Sequence, residues 1–180
     1  HYFASRNGHL LLLDIETERL AQVTDKLPNK ERHRMLAVDI GKLDQCQALF
    51  DELQDEGVFV EALVNNVGIG HYSSFSETSW ERLERIIDVN IKGTTFLTWL
   101  FLPSMLNRDV GTIINLSSTG AFFGALKSTV YTATKAYVSN FTEGLDVELM
   151  GSGVKTLTAH PGATDTHFWE DAGTINAKYY

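Results

Sequence analysis

The sequence predicts an α/β fold built on a doubly wound parallel sheet, and three observations carry that expectation. Short apolar runs of strand length alternate with longer runs of helical spacing, the pattern that lays helices over both faces of a parallel sheet. Each apolar run stops at a polar or acidic residue, where ligands of such folds gather. The composition, 180 residues with 43% hydrophobic and 21% charged, supplies apolar material for one sizeable core.

In chain order, residues 9–13 form an apolar run closed by Asp14, and the polar, helix-favouring stretch 16–26 stops at Pro28. Residues 33–38 read as a second strand ending at Asp39. Residues 42–56 have helical spacing, with Leu43, Cys46, Leu49, Phe50 and Leu53 on one side. A strand follows at 62–64, then a mostly helical stretch at 80–106. There Phe96, Leu97, Trp99, Leu100 and Phe101 leave almost no polar side, so that helix is expected to meet the sheet on one face and a partner subunit on another. Residues 112–116 form a strand, 131–150 a helix and 154–159 a strand. Without repeats, low-complexity tracts or linkers, and with three scattered prolines, residues 1–180 are expected to form one domain.

Composition also excludes function classes. A net charge of -8 with no basic stripe argues against a nucleic-acid partner. One cysteine, Cys46, permits no internal disulfide and fits a reducing, cytoplasmic setting, where it reads as a small core side chain. The apolar run 96–106 is too short to span a bilayer and contains Pro103, so no membrane partner is expected. Six histidines are scattered without metal-ligand spacing, and neither Ser117 nor Ser118 sits in the G-x-S-x-G of a hydrolase.

Tyr131 and Lys135 are the centre of the chemistry. Four residues apart on a helix, they lie one turn apart on the same face. Moving a tyrosine from about 10 to about 7 takes roughly 4 kcal/mol. One cation about 4 Å away supplies that at an effective dielectric of about 20, which would make a neutral-pH proton donor and acceptor. Alone, the pair is a common solvated arrangement. Its company changes the reading: Asn65-Asn66-Val67-Gly68, Asn90 in Asn90-Ile91-Lys92-Gly93, Ser117-Ser118 after a strand, and Pro161-Gly162 after another. Taken singly, Asp14 and Asp39 would be turns or helix caps, and the serines a polar turn.

With these motifs, in this order and spacing, the chain resembles the short-chain dehydrogenase/reductase family over nearly its whole length. The resemblance implies a Rossmann-like dinucleotide fold and hydride transfer between a nicotinamide cofactor and a carbonyl or alcohol. Ser118, 13 positions before Tyr131 as in the family, would hydrogen-bond the substrate oxygen with Tyr131. Tyr131 would exchange the proton, Lys135 would lower its pKa and hold the nicotinamide ribose, and Asn90 would anchor a water leading to Lys135. Asp14 would bond the adenosine ribose and repel a 2′-phosphate, favouring NAD, while a basic residue in the phosphate loop would admit NADP. Asp39 and Ile40 would flank the adenine, and Asn65, Asn66 and Gly68 would shape the cofactor groove. Pro161, Gly162, Thr164 and Thr166, in a P-G-x-x-x-T segment, would pass the nicotinamide carboxamide.

The glycine-rich loop belongs about 20 residues before Asp14 and so upstream of His1, which itself reads as mid-helix. Gly68-Ile69-Gly70 imitates it without the third glycine. The family's last strand would likewise lie past Tyr180. The chain is therefore expected to be a partial domain that is poorly stable and binds cofactor weakly by itself. Phe168 and Trp169 would begin a substrate lid. Phe122 and Phe123 would line an apolar wall, implying an apolar ketone or secondary alcohol. When complete, the protein is expected to be a homodimer or homotetramer. Two alternatives stand beside this reading: a noncatalytic NAD(P)-sensing or scaffold protein, and a nucleotide-sugar epimerase or dehydratase using the same tyrosine and lysine.

Overall fold

A computed structural model of the chain describes residues 1–162 and 172. The chain divides into two compact units, His1–Asp39 and Ile40–Tyr180.

The first unit is a βαβ turn of chain. Strands β1 (Leu11–Asp14) and β2 (Arg34–Ala37) pair in parallel, from Leu11 opposite Arg34 to Asp14 opposite Ala37. Helix α1 (Thr17–Thr24) connects them and buries Leu20 and Thr24, four apart on one face. Its start is set by Asp14, whose carboxylate accepts the Glu16 N–H at 3.0 Å. Before β1, residues 1–7 are not helix interior. Ala4–Arg6 is a 3₁₀ turn that ends with Asn7 at φ 60°, while Gly8 N–H donates to the Phe3 carbonyl at 2.9 Å. This is how helix C-termini close, with a left-handed residue satisfying the last carbonyls.

The second unit holds α2 (Leu43–Asp55), β3 (Ala62–Asn65), α3 (Trp80–Ile87), α4 (Thr94–Arg108), β4 (Gly111–Leu116), α5 (Thr129–Glu148) and β5 (Val154–Ala159). Its sheet runs β3-β4-β5, all parallel, so that Asn65 faces Asn115 and Leu116 faces Ala159. Helices α4 and α5 pack on the sheet, and α2 packs on α4 through an edge-to-face contact of Phe50 with Phe101 at 5.3 Å. Cys46 is a buried member of the α2 face.

Two features differ from the expectation. Between α3 and α4 the stretch read as mostly helical passes through a π-helical segment, Asp88–Gly93. At its end a Cβ on Gly93 would stand 2.5 Å from the Ile40 carbonyl oxygen, so only glycine permits the approach. The strands, too, are not buried on both faces of this unit. Ile113 and Asn115 are fully covered, but on the other face Val64 is 42% and Leu157 55% exposed.

The covered face carries a polar ladder. Asn65 Nδ2 donates to Thr98 Oγ1 (3.2 Å) and Asn115 Oδ1 (2.8 Å), and Asn115 Nδ2 donates to Thr142 Oγ1 (2.9 Å). Thr98 and Thr142 pass their protons to the carbonyls of Thr94 and Val138. Because an unpaired amide there would cost about 1–3 kcal/mol, the ladder fixes one register of β3 on β4 and ties both strands to α4 and α5.

Candidate active site

In parallel strands the loops after the carboxyl ends share one edge. Here those of β4 and β5 are stitched together past the strands themselves, by Ser117 N–H to the Ala159 carbonyl (2.8 Å) and Thr119 N–H to that of Pro161 (3.1 Å). His160 shares a hydrogen bond with Ser139 Oγ of α5 (2.9 Å) and packs against Phe122, ring centres 4.8 Å apart.

Ser118 caps the 3₁₀ turn Thr119–Phe122, its Oγ accepting Gly120 N–H at 3.1 Å. The hydroxyl proton is thus available to Tyr131, which sits in the first turn of α5 and is hydrogen-bonded to Ser118. Lys135 lies one turn further, only 4% exposed, its Nζ donating to the Leu116 carbonyl at 2.8 Å and standing 5.9 Å from the Tyr131 ring centre. Ser117, the second serine, donates to the Lys135 carbonyl (2.7 Å) and so pins the lysine's backbone to the end of β4.

The electrostatics differ from those read in the sequence. Burial holds the Tyr131 phenol above its ordinary value, opposed by the Ser118 hydrogen bond, and burial pushes Lys135 down to about 8. Lys135 is buried and Tyr131 half-buried, and desolvation penalises whichever form is charged. Lys135 directs its ammonium at a carbonyl rather than at the phenol oxygen, and the expected lowering of Tyr131 by its charge does not prevail. At neutral pH the tyrosine keeps its proton.

Asn90 lies in the π-helical segment, fully buried. Its Oδ1 accepts Ile69 N–H (2.9 Å), and its Nδ2 donates to the Ile69 carbonyl (3.0 Å) and to Thr134 Oγ1 (2.9 Å). The side chain thereby clamps the loop after β3. Gly68 in that loop is pressed against Lys135, since a Cβ there would lie 2.7 Å from Nζ. Ser118, Tyr131, Lys135, Asn90 and Gly68 therefore converge.

Other predicted positions are placed differently. Asn65 is committed to the buried ladder, whereas Asn66 is exposed. Ile40 is buried, with its Cδ1 3.1 Å from where a Cβ on Gly93 would be. Asp14 and Asp39 belong to the first unit and are half-buried. Asn66, Pro161 and Gly162 are exposed, and among the described residues a Cβ at Gly162 would meet nothing within 4 Å, so the strand ends leave room there for an extended ligand. Thr164, Thr166, Phe168 and Trp169 lie outside the described residues. Phe122 and Phe123 are exposed and line a groove of about 380 Å³ with Ala133 and Ala136, which shares Thr129 with the recess of about 10 Å³ beside Tyr131 that His71, Phe75, Leu83 and Lys127 help to line. Sequence reasoning missed Thr134 and the tie from Ser117. Their partners lie 44 and 18 residues away, and no local spacing announces them.

The fold and the strand-end cluster define a Rossmann-like α/β protein. The sequence matches the short chain dehydrogenase family over residues 1–176, and the chain belongs to that family. It is 34% identical over 165 residues to an uncharacterized oxidoreductase of Staphylococcus saprophyticus, covering 91% of this chain and 70% of the relative. A short-chain dehydrogenase from Sphingobium yanoikuyae in complex with NADPH superposes with a TM-score of 0.88 at 28% identity, covering 96% of this chain and 68% of that one. Serine dehydrogenase from Escherichia coli gives a TM-score of 0.80 at 29% identity, covering 89% and 73%. The chain spans 64–70% of the length of the curated relatives it matches. Among the described residues no helix is long and apolar enough to cross a membrane.

Proposed function

We propose that the whole protein is an NAD(P)-dependent oxidoreductase interconverting a ketone and a secondary alcohol, with Tyr131 as general acid and base. The observation that carries this reading is the Ser118–Tyr131 hydrogen bond backed by a buried Lys135 one helical turn away. The cofactor, when bound, supplies or accepts the hydride. Asn66, Gly68, Lys135, Pro161 and Gly162 would hold it. In reduction, Ser118 and Tyr131 hydrogen-bond the substrate oxygen, which stabilises the charge developing on it. Tyr131 then gives its proton to the alkoxide. In oxidation the phenolate takes it back, and the Ser118 hydrogen bond stabilises that phenolate.

The Asp14 carboxylate favours NAD by repelling a 2′-phosphate, while the NADPH of the Sphingobium enzyme supports NADP. Both belong in the assay. An apolar substrate preference would rest on Phe122 and Phe123, both exposed on the groove they line. For the assembly we propose a homo-oligomer formed through α4 and α5. Trp99 is 64% exposed and stacks on Phe96 at 5.6 Å, and on α5 Tyr137 stacks on Phe141 at 5.9 Å, an aromatic surface that favours a protein partner. Light scattering of the complete protein tests this, and a monomer would contradict it.

The function is tested by supplying NADH and NADPH deuterated at C4 with a panel of ketones. Deuterium on the carbinol carbon of the product, from one face of the ring only, is the expected result. Cofactor binding without transfer would instead favour the noncatalytic sensor.

A further inference from the structure

Thr134 plays no part in the reaction proposed above, yet its side chain is 1% exposed and fully engaged at the centre of the site. Its hydroxyl donates to the Tyr131 carbonyl at 2.7 Å. A carbonyl has no proton to return, so the direction of that bond is fixed and the Thr134 oxygen offers only lone pairs to its other neighbour. That neighbour is Asn90 Nδ2, at 2.9 Å. The Asn90 amide must therefore present its nitrogen to α5. With that end fixed, the second Nδ2 proton reaches the Ile69 carbonyl and Oδ1 receives the Ile69 N–H. Turning the amide over would set oxygen against oxygen at Thr134 and at the Ile69 carbonyl, and N–H against N–H at the Ile69 amide.

The loop held in this way covers the lysine. A Cβ at Gly68 would lie 2.7 Å from Lys135 Nζ, 3.2 Å from its Cε and 3.7 Å from Asn90 Oδ1, so the loop backbone closes over the ammonium. We propose that Thr134 is a positioning residue: its hydroxyl anchors to α5 the Asn90 amide that Ile69 orients, which seats the Gly68-Ile69 backbone on Lys135 and keeps water from that side chain. The elements packed there present the Tyr131 phenol from α5, the Leu116 carbonyl from β4 and the loop backbone at Gly68. Burial lowers the Lys135 value, and among the described residues no charged group adds to it. Without the Thr134 hydroxyl, one Nδ2 proton of a fully buried amide has no partner. The amide shifts or admits water to satisfy that proton, the Ile69 bonds loosen, and Lys135 is hydrated.

The consequence for catalysis rests on the reading of Tyr131 and Lys135 as the reacting pair, but the test does not. Lysine labelled at Cε is titrated by NMR without cofactor or substrate in the wild type, Thr134→Val and Thr134→Ser, with the Lys135 signal assigned by its loss in Lys135→Met. The proposal expects Thr134→Ser to titrate like the wild type, and Thr134→Val to rise by about one unit or more toward the ordinary lysine value. It also expects hydrogen exchange at the Ile69 amide to become roughly tenfold faster or more in Thr134→Val. Thr134→Ala, which removes the same hydroxyl with less bulk, carries the same expectations should valine disturb packing. A hydroxyl-free variant that folds and keeps both the wild-type titration and the Ile69 protection overturns the proposal. Where turnover is measured, the alkaline limb of the kcat profile should move with the titration while KM stays within about twofold. An inactive wild type that still shows the titration shift would sink the oxidoreductase reading and leave this one standing.

Discussion

Replacing Lys135 by methionine should abolish catalysis and yet stabilise the protein below pH 8. The lysine's value falls from the ordinary 10.5 to about 8, and burial is the cause. At ~1.36 kcal/mol per unit that displacement is a penalty of about 3 kcal/mol on holding the ammonium in the folded state. Below pH 8 the lysine is charged both folded and unfolded, and the whole penalty is present. Between pH 8 and 10.5 the unfolded chain binds more protons than the folded one, so stability from this group rises with pH. Above 10.5 both states are neutral and the penalty is gone. Methionine has a similar length and no charge, but it leaves the Leu116 carbonyl without its 2.8 Å donor, a loss of about 1 kcal/mol. At pH 6.5 the variant should therefore be more stable by about 2 kcal/mol, and near pH 10.5 less stable by about 1. In urea the first difference is a midpoint shift of roughly 1 M. Comparing the two proteins at each pH cancels every group they share. A variant that is less stable at pH 6.5, or a gap that does not change with pH, would refute the argument that the lysine is held in place against desolvation.

Two further substitutions probe the frame around the site. Asn115→Ala removes the acceptor of Asn65 Nδ2 and the donor to Thr142 inside a fully buried ladder, and should cost about 2–4 kcal/mol by denaturant unfolding, from an orphaned donor plus a cavity. Gly93→Ala drives a Cβ to 2.5 Å from the Ile40 carbonyl oxygen, where backbone must yield. It should destabilise by about 1–3 kcal/mol and lower turnover as well, because the displaced π-helical segment carries Asn90; an unaltered melting temperature would show that the contact is not tight.

The strands and helices were legible because burial periodicity and flanking turn residues are local signals. The run ending at Asp14 and the helix holding Leu43, Cys46, Leu49 and Leu53 lie where period alone puts them, within a residue or two at each end. The π-helical turn at Asp88–Gly93 left no mark, because one extra residue in a helical register changes no composition. Tyr131 and Lys135 were legible as a pair since helix geometry fixes residues four apart. What their shared burial does to them was not, because the backbone that dries Lys135 comes from Gly68 and Leu116, on other elements. Likewise Asn65 read as part of a ligand-binding turn. Its partner Asn115 is 50 residues away, and only the β3–β4 register shows that its amide faces the core.

The central claim is that Tyr131 moves the proton in a hydride-transfer reaction. Its most direct test is turnover and cofactor affinity of Tyr131→Phe beside the wild type, in the complete protein, with whichever ketone the deuterium assay identifies. The account predicts that turnover is lost by a factor of about 10²–10⁴ or more, while NAD(P)H binds as before, since only one hydroxyl has gone. Activity surviving in the phenylalanine variant would contradict it.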